Sequence, residues 1–103
     1  MAVYTTIDDP ELYFQVKKWT GDGTSPRSIT WDGEENMAAN MFWTKVDAGH
    51  QHNLVDDVRG VNARTLSTDS DAVEDTTNSH GHFDSLDSNG FTVTGAGGYW
   101  NVN

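Results

Sequence analysis

Four histidines, set as His50-Gln51-His52 and His80-Gly81-His82, are the residues whose type and spacing best suit metal binding. On a strand, residues i and i+2 project from one face, so each pair can offer two imidazoles to a single ion. The many nearby carboxylates would suit Zn²⁺ or a harder octahedral ion. Both pairs sit beside turn residues, however, and histidines in polar loops are ordinarily solvated. The sequence therefore assigns no metal and no cofactor, and leaves His50, His52, His80 and His82 as the candidates for a metal site.

The carboxylates divide in the same way. Aligned to a calcium-binding EF-hand loop, Ser85, Asp87, Asn89 and Gly90 fall at positions 1, 3, 5 and 6. Ala96 then stands at position 12, where a bidentate Glu is required, so the match fails. Asp87-Ser88-Asn89-Gly90 reads instead as a turn, with Gly90 at positive φ. Asp69, Asp71, Glu74 and Asp75 form an acidic run in a polar stretch, the usual pattern of a solvated loop. Asp56 and Asp57 beside Arg59 suit a structural ion pair better than an acid–base couple. Gly-x-Ser-x-Gly, Gly-Lys-Thr/Ser and His-Glu-x-x-His are all absent, and no enzyme is expected. Tyr99 and Trp100, beside a glycine-rich loop, suit either stacking on a sugar ring or the core of a last strand.

Any such groups need a scaffold, and composition limits it. The 103 residues make one domain or a piece of one. Four Trp, four Phe and three Tyr must supply much of the core, because Ile occurs only at Ile7 and Ile29. A net charge of −10, from six basic and sixteen acidic side chains, argues strongly against nucleic acid as a ligand and disfavours an anionic membrane surface. With no cysteine, disulfides and thiolate metal sites are excluded. The first residues lack the basic and apolar regions of a signal peptide, and no stretch approaches the ~20 apolar residues of a membrane span.

Along the chain, Asp9-Pro10-Glu11 predicts a short helix over 9–14, with Asp9 as N-cap and Pro10 in the first position. A strand is expected over 15–20. Residues 21–26 are a turn cluster, and Ser28-Ile29-Thr30-Trp31 is a short strand with Ile29 and Trp31 on one face. The run 41–46, nearly all apolar, is expected to be a central strand. Leu54 and Val55 are expected to be buried, and 64–67 to form another short strand. Residues 68–82 read as loop, Phe83 as a return to the core, and 91–93 as a strand. Trp19, Trp31 and Trp43 recur every twelve residues between turn signals, which indicates an antiparallel sandwich or barrel. Tyr99-Trp100-Asn101-Val102 reads as a strand beginning. The expectation is that the chain is the front portion of something longer, or that neighbouring chains complete the sheet.

Taken in order, these pieces resemble the lectin-like (concanavalin-A-like) β-sandwich domain that recurs in tail-fibre and other virion proteins of tailed phages. The matching pieces are Asp8-Asp9-Pro10 with Tyr13-Phe14-Gln15, Trp19-Thr20-Gly21-Asp22-Gly23, and Ser28-Ile29-Thr30 leading to Asp32-Gly33. Phe42-Trp43-Thr44-Lys45 follows, then His52, Asp56-Asp57-Val58-Arg59-Gly60, and the run from Phe83 to Val93. The likeness spans about residues 8–93. In that family a further aromatic strand normally follows the point where this chain stops, a departure that again suggests truncation.

The resulting expectation is an all-β fold: an antiparallel sandwich of jelly-roll or lectin-like type, with a short N-terminal helix or extended arm. Residues 1–14 would dock and 15–103 would form the sandwich. The resemblance implies a structural virion protein, the N-terminal attachment domain of a tail fibre or appendage. It would form a homo-oligomer, a homotrimer being the commonest case, bind other tail or virion proteins, and be made in the host cytoplasm without a signal peptide. Glycan binding at a host surface is the alternative, and capsid decoration a third. The glycan reading requires an exposed aromatic ring beside converging polar groups.

Overall fold

The computed structural model describes residues 8–45, 47, 49–62, 64–77 and 81–95. Among them the fold is all-β, with six strands: β1 (Arg27–Thr30), β2 (Met41–Thr44), β3 (Asn53–Asp56), β4 (Leu66–Ser67), β5 (His82–Asp87) and β6 (Gly90–Thr94). They form two three-stranded antiparallel sheets, ordered β1-β6-β5 and β2-β3-β4. The second sheet is a local meander. The first joins β1 to β6 across most of the described chain, so the meander is inserted between two strands that pair with each other.

One aromatic core lies between the sheets. Phe42 of β2 stacks on Trp31, with centroids 5.5 Å apart and planes 8° from parallel. It also meets Phe91 of β6 at 4.8 Å and Phe83 of β5 at 5.2 Å. Phe83, Val55 and Val93 are fully buried, and Ile29, Met37 and Phe91 complete the cluster. Offset and edge-on pairs of this kind add about 0.5–1.5 kcal/mol each beyond area burial. Trp19 lies half-buried at the margin, edge-on to Phe91 at 5.3 Å.

Asp9 caps a single 3-10 turn, Pro10–Leu12, by accepting from the Glu11 amide at 3.0 Å. Pro10 sits where its missing N–H costs nothing. Beyond it, residues 15–20 do not form the expected strand. Side chains tether the segment instead of a backbone ladder. The Gln15 amide nitrogen donates to the carbonyls of Glu11 (3.0 Å) and Glu35 (2.9 Å), its oxygen accepts from Gly33 N–H (3.3 Å), and Lys17 pairs with Asp32 at 2.8 Å.

Two further expectations change. β2 is an edge strand rather than a central one, since β3 occupies the middle of its sheet. Its apolar run has two destinations: Phe42 enters the core, while Met41 and Trp43 point outward and remain exposed. The stretch read as loop up to 82 and turn from 87 contains β5, the hairpin partner of β6, with Asp84 as the extra residue between Phe83 and Ser85 in the register. Gly90 opens β6 at φ 157°, and a Cβ there would overlap the Ile29 carbonyl of β1. Glycine is required because two strand backbones meet at that point. The hairpin's Asn89 accepts from Trp31 N–H on its backbone and Met37 N–H on its side chain, both at 3.1 Å.

Candidate functional site

Asp56 and Arg59 meet at the end of β3. The Asp56 carboxylate accepts from the Arg59 amide (2.8 Å) and from its guanidinium Nε (2.9 Å), closing the turn. These bonds, the backbone one first, hold the Asp56 carboxyl below its ordinary range. Asp57 lies outside this pair: its carboxylate accepts from the Asn40 amide at 2.7 Å and its own N–H donates to the Asn40 carbonyl at 2.9 Å. The other end of Arg59 reaches Glu74 at 3.0 Å, and Glu74 also takes Arg64 at 3.2 Å.

Sequence reasoning gave Arg59 a partner three residues away and placed Glu74 in a solvated run. The signal it lacked is the antiparallel bridge between Thr65 and Asp75, whose two backbone bonds (3.3 and 2.8 Å) bring Glu74 back to the arginines. The result is a brace between two loops. Every carboxylate oxygen of Asp56 and Glu74 in it is engaged by an arginine.

The three described histidines do not gather at one place. His50 is exposed in the loop before β3, and His52 lies at the entrance to β3, its N–H donating to Asp69 at 3.0 Å. His82 lies on β5, in the opposite sheet, 3.7 Å from Asp84. His80 lies outside the described residues, as do Tyr99 and Trp100. Among the described residues no three His, Asp or Glu side chains gather closely enough to hold a metal.

Among the described residues, two surfaces are apolar and exposed. One is the segment after the 3-10 turn, where Tyr13, Phe14 and Val16 are 66%, 72% and 78% exposed and Leu12 is 45% exposed. The other is the outer face of β2-β3-β4. There Trp43 stands opposite Leu54, and Leu54 opposite Leu66, in one row across three strands. Trp43 is 67% exposed, yet its indole N–H donates to Thr68 Oγ at 3.0 Å. Thr68 lies against His52, the residue before β3.

A family model described as Domain of unknown function (DUF7483) matches residues 9–103. The chain belongs to the DUF7483 family. The match begins at Asp9, so the DUF7483 domain includes the 3-10 turn and the exposed aromatic segment along with both sheets. No curated protein and no solved structure matches this DUF7483 chain.

Proposed function

We propose that this chain is a structural module of a phage virion appendage, assembling as a homo-oligomer and attaching through the aromatic segment that follows Pro10. The observation carrying the reading is that Tyr13, Phe14 and Val16, within four residues after the 3-10 turn, are all mostly exposed. Single exposed apolar side chains are ordinary; a run of them is characteristic of a covered surface. The resemblance to lectin-like tail-fibre domains supports the virion setting, and the braced, acidic sandwich, with no clustered reactive groups among the described residues, suits a scaffold.

Magnitudes favour assembly over a single contact. Burying each of these three side chains returns roughly 1.5–3 kcal/mol. Association costs about 4–15 kcal/mol, so one strip alone binds weakly. A closed ring, in which every copy both gives and receives the strip, doubles the contacts per chain. The test is native mass on the 103-residue chain and on a Phe14→Ser, Val16→Ser double variant. The reading expects an oligomer that the double variant reduces to a folded monomer. A wild-type chain that is monomeric throughout would overturn it.

A further inference from the structure

We propose that the open edge of β2 on one copy of the chain receives residues 14–16 of the next copy as an antiparallel fourth strand of the β2-β3-β4 sheet. Phe14 then lies opposite Trp43, and Val16 opposite Met41. The contact rests on the attachment reading, assembly through the segment after Pro10, and names the surface that accepts that segment.

The edge is open in its backbone as well as its side chains. Asp57 N–H donates to the Asn40 carbonyl at 2.9 Å, and Thr68 N–H to the His52 carbonyl at 2.8 Å. With Phe42 opposite Val55 and Asn53 opposite Ser67, these two bonds fix the alternation along the ladder. Asn40, Phe42 and Thr44 turn their backbone groups toward β3, while Met41 and Trp43 turn theirs to the free side. No other backbone group among the described residues takes them up. Both side chains are exposed on the outer face. The Trp43 indole is tied to Thr68, just after β4, at 3.0 Å, so it leans away from the edge and leaves it clear. Such an edge is a template for a further strand.

The segment after Pro10 is the matching half. Its exposure alternates residue by residue: Phe14, Val16 and Lys18 are exposed, whereas Gln15, Lys17 and Trp19 are half-buried. Gln15 and Lys17 hold the 32–35 loop of their own copy, and Trp19 lies against Phe91. One side of the segment is thus fastened to its own fold, and the other presents side chains at the period-2 spacing of a strand without a ladder. Val16 keeps both backbone groups and Phe14 its carbonyl, the Phe14 N–H being taken by the Pro10 carbonyl at 2.9 Å. Phe14 and Val16 have the same two-residue spacing as Met41 and Trp43, so one pairing satisfies the free backbone groups and covers all four side chains.

Charge sets the direction. In the antiparallel register Lys18 falls opposite Ala39, next to Asn40, whose amide is bonded to exposed Asp57 at 2.7 Å. At the other end Asp9 and Glu11 come toward exposed Lys45, which follows β2. A parallel pairing would set Phe14 against Met41 and Val16 against Trp43, and would place Lys18 opposite Lys45, two like charges face to face. The strip and the edge are therefore complementary in one orientation. Because they are different surfaces of the same chain, the contact is head-to-tail, the kind that closes into a ring.

The chain has no cysteine, so introduced thiols report the contact without background. Opposed residues of a bonded antiparallel pair lie about 5.5 Å apart at Cα, within disulfide reach. Val16→Cys and Met41→Cys chains are oxidised singly and as a mixture, and covalent dimers are read on a non-reducing gel. The proposal expects a dimer in the mixture and none in either variant alone. A mixture of Phe14→Cys and Met41→Cys, opposed only in the parallel pairing, should stay uncrosslinked. A Val16→Cys dimer formed alone would mean that strip meets strip, and a Met41→Cys dimer alone that edge meets edge. Either result overturns the contact, as does crosslinking of the Phe14→Cys mixture or none in the Val16→Cys mixture. Trp43→Lys gives a second readout: native mass and circular dichroism should show a β-rich monomer, and an oligomer of wild-type size would overturn the contact. If Phe14→Ser, Val16→Ser loses the oligomer and Trp43→Lys keeps it, the attachment reading stands and this one falls. A wild-type chain that is monomeric throughout removes both.

Discussion

Single residues show where this fold tolerates no change. Phe83 is fully buried, meeting Phe42 and Phe91 at 5.2 Å each. Replacing it with Ala is expected to cost about 3–5 kcal/mol, measured by chemical denaturation, because rings from both sheets would border the cavity. Gly90→Ala acts by another route, forcing a methyl group into the Ile29 carbonyl at the β1–β6 contact. A loss of roughly 2 kcal/mol or more is expected there, far above the few tenths typical of surface changes. Asp56 sets a pH signature. Its folded carboxyl is held below the ordinary value of 3.8, so the stability it contributes is present above that value and is lost as pH falls through the lower folded one. Melting temperature followed downward from pH 3.8 should therefore fall more steeply in the wild type than in Asp56→Asn. Parallel curves would show that the Arg59 contact contributes nothing.

Elements were legible where the pattern was local. Ile29 and Trp31 alternate into the core, Asp9-Pro10 announces the 3-10 turn, and Asn89-Gly90 marks the hairpin, each from neighbours within a few positions. What the sequence concealed depended on distant partners. The apolar run at β2 suits a doubly buried strand as well as an edge strand with a Met41–Trp43 outer face, and only the place of β3 separates the two. Residues 15–20 have strand-forming composition, but Gln15 and Lys17 direct their side chains to the 32–35 loop, and the segment forms no strand. Glu74 joined Arg59 only through the Thr65–Asp75 bridge. The same logic separates function from stability in the exposed segment. Phe14 and Val16 touch little of their own fold, so Phe14→Ser, Val16→Ser should stay within about 0.5 kcal/mol per site of wild-type stability while losing assembly. A large drop in melting temperature instead would place the segment in the fold.

At the scale of the whole molecule, two facts dominate: a sandwich closed by the pairing of β1 with β6, and a net charge of −10. Self-repulsion among sixteen acidic groups opposes compaction, and salt screens it. Raising ionic strength from low to physiological should raise the melting temperature of the chain, and a fall would point to ion pairs such as Lys17–Asp32 as the stronger influence. Fold class was visible from composition and turn spacing, because aromatic residues between regular turn signals admit few architectures. The docking role was read onto 1–14, and the exposed apolar side chains run from Leu12 to Val16. The central claim, a structural module that assembles through that run, is tested most directly by native mass spectrometry of the chain, with circular dichroism on the same sample. The account predicts a β-rich oligomer that becomes a β-rich monomer in Phe14→Ser, Val16→Ser. A folded wild-type monomer, or an oligomer indifferent to those substitutions, would contradict it.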